Sequence, residues 1–146
     1  MIRLAVVGSR CLAGNAAAQH AVLAAITYWL SQAPDGQFEV VSGGAIGVDE
    51  MAERVAAALN LPTRIFRPDP KELAKAGNAK ATWPIYRARN AVLAEHATHL
   101  LCVRCPESST KGAWWTEREA RRLRKRVLPA VEITCARHAR EREAGR

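Results

Sequence analysis

The amino-acid sequence predicts an α/β fold in which a mainly parallel, five-stranded sheet carries helices on both faces. The first observation behind this prediction is alternation: short apolar runs that suit buried strands alternate with segments whose apolar residues recur at helical spacing. The second is size and composition. A chain of 146 residues, 49% of them apolar, is long enough for one domain with a packed core.

The first half of the chain predicts three strands and two helices. Short apolar runs predict strands at 2–8, 38–42 and 63–67. Apolar residues three or four apart predict helices at 16–32 and 48–60. Pro-Asp-Gly at 34–36 ends the first helix, and Pro62 stops the second.

The second half opens with residues 68–83, which are predicted to be a long connection. Pro84 suits the first turn of the helix that follows. The inner face of that helix is predicted from four apolar residues, Ile85, Ala88, Val92 and Leu93.

Two strands and a helix complete the predicted sheet. The apolar runs at 98–103 and 127–133 predict the fourth and fifth strands. Ser-Ser-Thr at 108–110 is expected to cap a helix that runs to about residue 126. Because Pro129 has no N–H to donate, the fifth strand is expected at an edge of the sheet.

The N-terminal sequence and the length of the apolar runs indicate where the protein is located. The N-terminus lacks the pattern of a signal peptide, and the longest mostly apolar run, 21–30, is too short to cross a bilayer. We therefore expect a cytoplasmic protein with no membrane partner. We expect one domain over residues 1–135, followed by a charged, flexible tail over 136–146.

The cysteines give no complete metal motif. Cys102 and Cys105 have the C-x-x-C spacing of redox and zinc sites, but no second pair or paired histidine motif completes four ligands. Together with Cys11 and Cys135 they are therefore interpreted as buried or incidental thiols, and no metal site is predicted.

Three glycines lie between the second strand and the second helix. Gly43, Gly44 and Gly47 precede Asp49, at a place where backbone N–H groups attract anions. Without Cβ atoms, this loop would let a phosphate approach the main chain, and Asp49 would cap the helix or accept from a ribose hydroxyl. The alternative is a tight turn that packs the helix close to the sheet.

Other predicted strand and helix ends carry residue types that suit phosphate and ribose: backbone donors, hydroxyls, guanidinium groups and an amide. The ligand-binding residues predicted on this basis are Gly8, Ser9, Arg10, Gly43, Gly44, Ala45, Gly47, Asp49, Arg89, Asn90, Ser109, Thr110, Lys111 and Gly112. No cofactor is required, although Mg²⁺ can accompany a phosphorylated ligand.

The ordered segments VVGSR, VVSGGAIGVDEMA, RARN, THLLCV and STKGAWWTEREAR resemble the SLOG superfamily, over about residues 2–132. That superfamily includes the DprA/Smf DNA-processing proteins and the LOG phosphoribohydrolases, and the chain is most similar to its YspA-like (DUF2493) branch. The resemblance implies a Rossmann-like three-layer sandwich with strand order 3-2-1-4-5. It also implies that the protein binds nucleotides or nucleotide-derived ligands.

Within that resemblance, Gly8 and Ser9 match the first loop of the family, and the glycines at 43, 44 and 47 with Asp49 match the second. Arg89 matches the arginine that LOG enzymes place near the ribose phosphate.

Two departures concern the LOG Gly-Thr pair and the catalytic glutamates that follow it. Gly112 matches the glycine of the pair, but Ala113 replaces its threonine. Trp114, Trp115 and Thr116 stand where LOG enzymes carry the glutamates, and Glu117 comes later.

Three functions are left open by the sequence. The first is nucleotide-ligand binding in a sensor or regulatory protein. The second is hydrolysis of a nucleotide N-glycosidic bond, with Glu117 or Asp49 as acid or base. The third is DNA binding like that of DprA.

The DNA-binding alternative depends on residues 117–126, which hold six Lys or Arg within a chain of net charge +8. Such a segment also suits a solvated helix face with internal ion pairs. Trp114 and Trp115 suit either base stacking or a core or subunit interface. We expect any nucleic-acid binding to be weak, and we expect a homodimer or higher homo-oligomer.

Overall fold

The computed structural model describes residues 1–109 and 111–145. The strands are β1 (Ile2–Gly8), β2 (Phe38–Ser42), β3 (Thr63–Ile65), β4 (His99–Arg104), β5 (Arg126–Val127) and β6 (Val131–Glu132). The helices are α1 (Ala16–Gln32), α2 (Val48–Ala58), α3 (Pro70–Ala76), α4 (Ala79–His96), α5 (Gly112–Arg122) and α6 (Ala136–Ala144).

The strands form one parallel sheet in the order β3-β2-β1-β4-β5, with β6 also paired to β4. This confirms the predicted α/β class and the strand order 3-2-1-4-5. β1 lies at the centre, and its last residue, Gly8, is level with Val103 near the end of β4. The carboxyl ends of β1, β2 and β4 therefore meet at one edge, where ligands bind in folds of this kind.

The predicted fifth strand is divided in two. β5 and β6 both pair with β4, and Pro129 lies in the gap between them. A proline cannot donate a ladder hydrogen bond, so the pairing is interrupted there. The edge position was predicted correctly, whereas one continuous strand over 127–133 was wrong.

The predicted long connection at 68–83 is largely helical. It contains α3 and the start of α4, each capped by a side chain: Asp69 accepts from the N–H of Lys71, and Asn78 accepts from that of Ala81. Pro84 therefore lies inside α4 and not in its first turn. The predicted inner face was wrong as well, because Ala88 and Val92 are exposed and of the four residues only Leu93 is fully buried.

Helix α5 is shorter than predicted. It begins at Gly112, with Lys111 at the N-cap position, and ends at Arg122, so Arg126 belongs to β5. The segment after residue 135, expected as a flexible tail, contains helix α6, which has no buried residue. The boundary of the domain at residue 135 stays a prediction.

The hydrophobic core occupies both faces of the sheet. On one face, Leu4, Val6 and Val40 pack with α1 and α2. On the other face, the cluster around Ala5 and Leu100 packs with α4 and α5. Across residues 1–109 and 111–145, no helix combines the length and apolar character needed to cross a bilayer.

Candidate functional site

A cavity of about 510 Å³ opens at the carboxyl ends of the central strands. It is bounded by the loops after β1, β2 and β4 and by one face of α4. Ten of the predicted ligand-binding residues line it: Gly8, Arg10, Gly43, Ala45, Asp49, Arg89, Asn90, Ser109, Lys111 and Gly112. The structure thus brings together residues that are far apart in the sequence.

The remaining predicted site residues lie elsewhere. Ser9 is buried, and its Oγ accepts a hydrogen bond from the backbone N–H of Cys105 at 2.9 Å. Gly44 lines a neighbouring cavity of about 320 Å³, together with Arg67. Gly47 lies so close to the first loop that an added Cβ would be 3.1 Å from backbone atoms of Ser9 and Arg10. Thr110 lies outside the described residues.

Two backbone donors of the glycine-rich loop already have acceptors within the chain. The backbone N–H of Gly44 donates to Ser42 Oγ at 3.0 Å. The backbone N–H of Ala45 donates to Asp49 Oδ2 at 3.2 Å, so a carboxylate of the protein lies where an anion was expected. These hydrogen bonds favour the alternative in which the loop is a tight turn that packs α2 close to the sheet.

Asp49 is a buried carboxyl group in the wall of the cavity. Its side chain is 7% exposed. Burial raises the pKa of Asp49 from 3.8 to about 6, against the lowering effects of the Ala45 N–H and of the Arg89 charge. A carboxyl group with such a pKa can exchange a proton near neutral pH, which is the property required of a general acid or base.

Arg89 is held between the glycine-rich loop and α4. Its guanidinium donates to the carbonyl oxygens of Gly43 and, at 3.3 Å, Phe66, and its Nε donates to Asn90 Oδ1 at 2.7 Å. Burial lowers the pKa of Arg89, an effect that Asp49 opposes and the nearby positive charge of Arg10 increases. Arg89 therefore positions the loop while its charge faces the cavity.

The loop between β4 and α5 differs from the glycine-rich loop. No acidic residue lies in the first turn of α5, and Lys111 stands at its N-cap position. The first N–H groups of a helix have no partner within the helix and carry a partial positive charge. Lys111 and Ser109 are exposed at the mouth of the cavity. This helix start can therefore offer backbone donors and a cation to an anion.

Aromatic side chains of α4 form a wall that the sequence analysis missed. Trp83 and Tyr86 line the cavity, and Trp83 makes an edge-to-face contact with Trp115 at 6.2 Å between ring centroids. The Tyr86 ring lies 5.4 Å from the Arg10 guanidinium and 5.6 Å from that of Arg89.

The sequence contains a pattern from which this aromatic wall could have been predicted. The lining residues of α4 are Ala79, Thr82, Trp83, Tyr86, Arg89, Asn90 and Leu93, which recur at helical spacing. The pattern was missed because its first residues were assigned to a connection.

Glu117, one of the two acid or base candidates, is engaged in ion pairs. Its Oε1 accepts a hydrogen bond from Arg104 at 3.0 Å and forms a second ion pair with Arg121 Nη1 at 3.2 Å. Among the described residues, those that line the cavity include Thr116 but not Glu117. Of the two candidates, Asp49 is the one with access to a ligand there.

Solved structures share this fold across the whole chain. TM1055, a structural-genomics target, matches 100% of both chains with a TM-score of 0.60 and 15% identity. DNA processing protein A (DprA) from Streptococcus pneumoniae has a TM-score of 0.53 and 15% identity, covering 97% of this chain but only 61% of DprA. A predicted subunit of tRNA methyltransferase from Methanocaldococcus jannaschii gives a TM-score of 0.46, with 12% identity.

The likeness to TM1055, together with the observed strand order, establishes the class of fold, a Rossmann-like α/β sandwich with a mainly parallel sheet. No protein-family model matches the chain, and no curated protein does.

Proposed function

We propose that the cavity binds a nucleotide or a nucleotide-derived phosphorylated ligand, and that the protein acts as a sensor or regulatory protein. The observation that carries this proposal is the charge around the cavity. Among residues 1–109 and 111–145, three cationic side chains line it, Arg10, Arg89 and Lys111, against one carboxyl group, Asp49. The volume of about 510 Å³ lies in the range of small-molecule sites.

The phosphate is best accommodated at the start of α5. Lys111 supplies a charge there, and the first backbone N–H groups of the helix supply donors. Arg10 is a second exposed cation that lines the cavity, and it adds to the positive charge available to a phosphate. At the glycine-rich loop, by contrast, an anion would have to displace the Asp49 carboxylate from the Ala45 N–H.

The base and sugar suit the wall of α4. Trp83 and Tyr86 provide aromatic faces and edges, and stacking of a base on an aromatic ring contributes about 1–3 kcal/mol. Asn90 lines the same wall and has amide hydrogens for a sugar or base oxygen. The resemblance to the SLOG superfamily, and the DprA fold, are consistent with this assignment. The YspA-like branch, Mg²⁺ and a homo-oligomer stay predictions.

Calorimetry with adenosine 5′-monophosphate tests the proposal. We expect Lys111→Ala to weaken binding by about 1.5–3 kcal/mol, the contribution of a charged hydrogen bond. Arg118→Ala is the matched control, because Arg118 is an exposed cation on the same helix. Separate titrations with adenosine and with inorganic phosphate measure how much of the affinity comes from the aromatic wall and how much from the cations.

The controls decide the outcome. If Lys111→Ala and Arg118→Ala weaken binding equally, general electrostatic attraction explains the result and the proposed phosphate position is wrong. If the parent protein binds none of a panel of nucleoside mono-, di- and triphosphates, the proposed ligand class is wrong.

The second candidate function is hydrolysis of a nucleotide N-glycosidic bond, favoured by the buried Asp49 with its raised pKa. In this reaction the bond between the ribose C1′ and the base nitrogen breaks, water adds to C1′, and the base leaves with a proton. Asp49 would remove the proton from water. Chromatographic detection of free base and ribose 5-phosphate tests it, and Asp49→Asn should abolish release while preserving the fold.

Weak DNA binding stays a prediction. Two of the arginines of the 117–126 segment are engaged in ion pairs, Arg121 with Glu117 and Arg122 with Glu119. We expect binding of single-stranded DNA to show no sequence preference and to fall steeply with salt. Tight binding at physiological salt that is lost when Arg121, Arg122 and Arg124 are changed to Glu would favour DNA binding as the main function.

A further inference from the structure

Three cysteines and a histidine meet beside the sheet, outside the cavity. They are Cys11 after β1, Cys105 after β4, Cys135 at the N-cap of α6 and His138 in the first turn of α6. The three sulfur atoms and one imidazole nitrogen all lie within 4.8 Å of one another. His138 Nδ1 lies 3.0 Å from Cys135 Sγ and 3.4 Å from Cys105 Sγ.

We propose that these four side chains bind a structural zinc ion as a Cys₃His site. Zinc in such sites is tetrahedral, with Zn–S distances of about 2.3 Å and Zn–N distances of about 2.0–2.1 Å. Two ligand atoms on such a tetrahedron are roughly 3.5–3.8 Å apart. The observed separations fit that arrangement after small side-chain adjustments.

The chemistry of the cluster also suits zinc. Cys105 and Cys135 are buried, whereas Cys11 and His138 are partly exposed, so an ion can enter from one side. A zinc ion with three thiolates and a neutral imidazole forms a site of net charge −1. Zinc binding releases the three thiol protons. His138 must bind through Nδ1 and carry its hydrogen on Nε2, which requires the Arg137 guanidinium, now 3.1 Å from Nε2, to move away.

The C-x-x-C pair, Cys102 and Cys105, does not supply two ligands to the proposed zinc site. Cys102 packs in the hydrophobic cluster on the opposite face of the sheet from Cys105. The pair that shares the site is Cys135 and His138, a C-x-x-H spacing that puts both side chains on the first turn of a helix. The parallel pairing of β1 and β4 brings Cys11 and Cys105 to the same place.

A zinc ion would explain how α6 is held. The helix spans nine residues, none of them buried, and isolated helices of that length are marginal in water. Its contacts to the rest of the chain include an ion pair between Arg142 and Glu107. A metal bound at its first turn would fasten it to the ends of β1 and β4. Because Cys11 follows Arg10, the same ion would also restrain a cavity residue.

Metal analysis of the full-length protein, purified without chelators, tests the proposal. We expect close to one zinc per chain in the parent and in Cys102→Ala, and near-complete loss in Cys135→Ala. The two variants are matched, because each removes one buried thiol, but from opposite faces of the sheet. Replacement of zinc by Co²⁺ should give the thiolate charge-transfer and ligand-field absorption of a four-coordinate site.

A histidine series separates coordination from folding. His138→Ala should lose the metal, whereas His138→Cys should restore zinc and add to the Co²⁺ charge-transfer absorption, because it supplies a fourth thiolate. A parent protein with neither zinc nor Co²⁺ binding would overturn the proposal. So would zinc content unchanged by Cys135→Ala, or a disulfide among the three cysteines in the freshly purified protein, detected by mass spectrometry as the loss of two hydrogens.

Discussion

Two connections at the same edge of the sheet differ in what lies at the start of the helix that follows. The β2–α2 connection is rich in glycine, and its helix has Asp49 and Glu50 in the first turn. The β4–α5 connection ends in Lys111, and the helix that follows begins at Gly112 and has no acidic residue in its first turn. In the first connection the Ala45 N–H donates to the carboxylate of Asp49. The second connection can offer backbone donors and a cation to a ligand.

Glycine content alone therefore does not identify an anion site. In the β2–α2 connection the glycines allow close packing within the protein. A Cβ atom on Gly43 would lie 2.9 Å from Arg89 Nη1 and from Asp49 Oδ2. At Gly112, by contrast, the nearest atom to an added Cβ would be Asn90 Nδ2 at 3.7 Å. A side chain at Gly112 would therefore meet only ordinary van der Waals contacts, whereas one at Gly43 would be overpacked.

The largest expected effect is that of Gly47→Ala on stability. Gly47 has φ of 90°, and its added Cβ would lie 3.1 Å from backbone atoms of Ser9 and Arg10. Backbone strain and overpacking cost about 1–3 kcal/mol each, so we expect a loss of roughly 2–6 kcal/mol in the free energy of unfolding.

The control for this variant is Gly14→Ala. Gly14 has φ of 73°, but nothing lies within 4 Å of its added Cβ, so only the strain remains. Urea unfolding compares the two. Equal losses would mean that close packing between the β1 and β2 loops is unimportant, and the comparison of the two connections would lose its structural basis.

The next largest expected effect is that of Asp49→Asn on the pH dependence of stability. Because burial raises the pKa of Asp49 from 3.8 to about 6, the folded protein retains a proton that the unfolded chain releases. The resulting stabilisation is fully present below pH 3.8 and is lost as the pH rises through about 6. Above that range the buried charge costs roughly 3 kcal/mol, since one pKa unit corresponds to about 1.4 kcal/mol.

Asparagine keeps an oxygen acceptor for the Ala45 N–H but carries no charge. We therefore expect the stability of Asp49→Asn relative to the parent to increase between pH 4 and pH 6 and then to level off. Urea unfolding across this range measures the difference, and Asp35→Asn, at an exposed position, corrects for the loss of one negative charge. A difference that does not change with pH would show that Asp49 is not a buried, titrating group.

The sequence predicted the fold well because the relevant signals are local. Apolar runs gave the exact bounds of β1 and β2 and included all five β4 residues that pair with β1. Helical spacing gave the exact bounds of α1. Where the local signal was polar, the prediction was wrong. The lysine-rich segment before Pro84 concealed α3 and the first turn of α4, and with them the aromatic wall of the cavity.

Ten of the predicted ligand-binding residues line the cavity, because parallel strands bring their carboxyl ends to one edge. Their part in ligand binding stays a prediction. The sequence could not show that Asp49 accepts from the glycine-rich loop, since that depends on side-chain orientation. Long intervals of sequence also separate Cys11, Cys105 and the Cys135–His138 pair, and the pairing of β1 with β4 and the position of α6 bring them together.

The smallest expected effect on stability is that of Gly112→Ala. Gly112 is the first residue of α5, and its added Cβ would make ordinary contacts with Asn90 and Trp83. Alanine is preferred over glycine in helices, so the free energy of unfolding should stay the same or rise by up to about 1 kcal/mol. The new methyl group would nevertheless project towards Asn90 and Trp83, two residues that line the cavity. We therefore expect weaker binding of adenosine 5′-monophosphate by a protein that is at least as stable, measured by calorimetry and urea unfolding on the same samples.

The control variant is Gly43→Ala, which should lower the free energy of unfolding because its Cβ meets Arg89 and Asp49. If Gly112→Ala binds the nucleotide as the parent does, the ligand does not contact the start of α5, and the two connections do not differ in the way proposed.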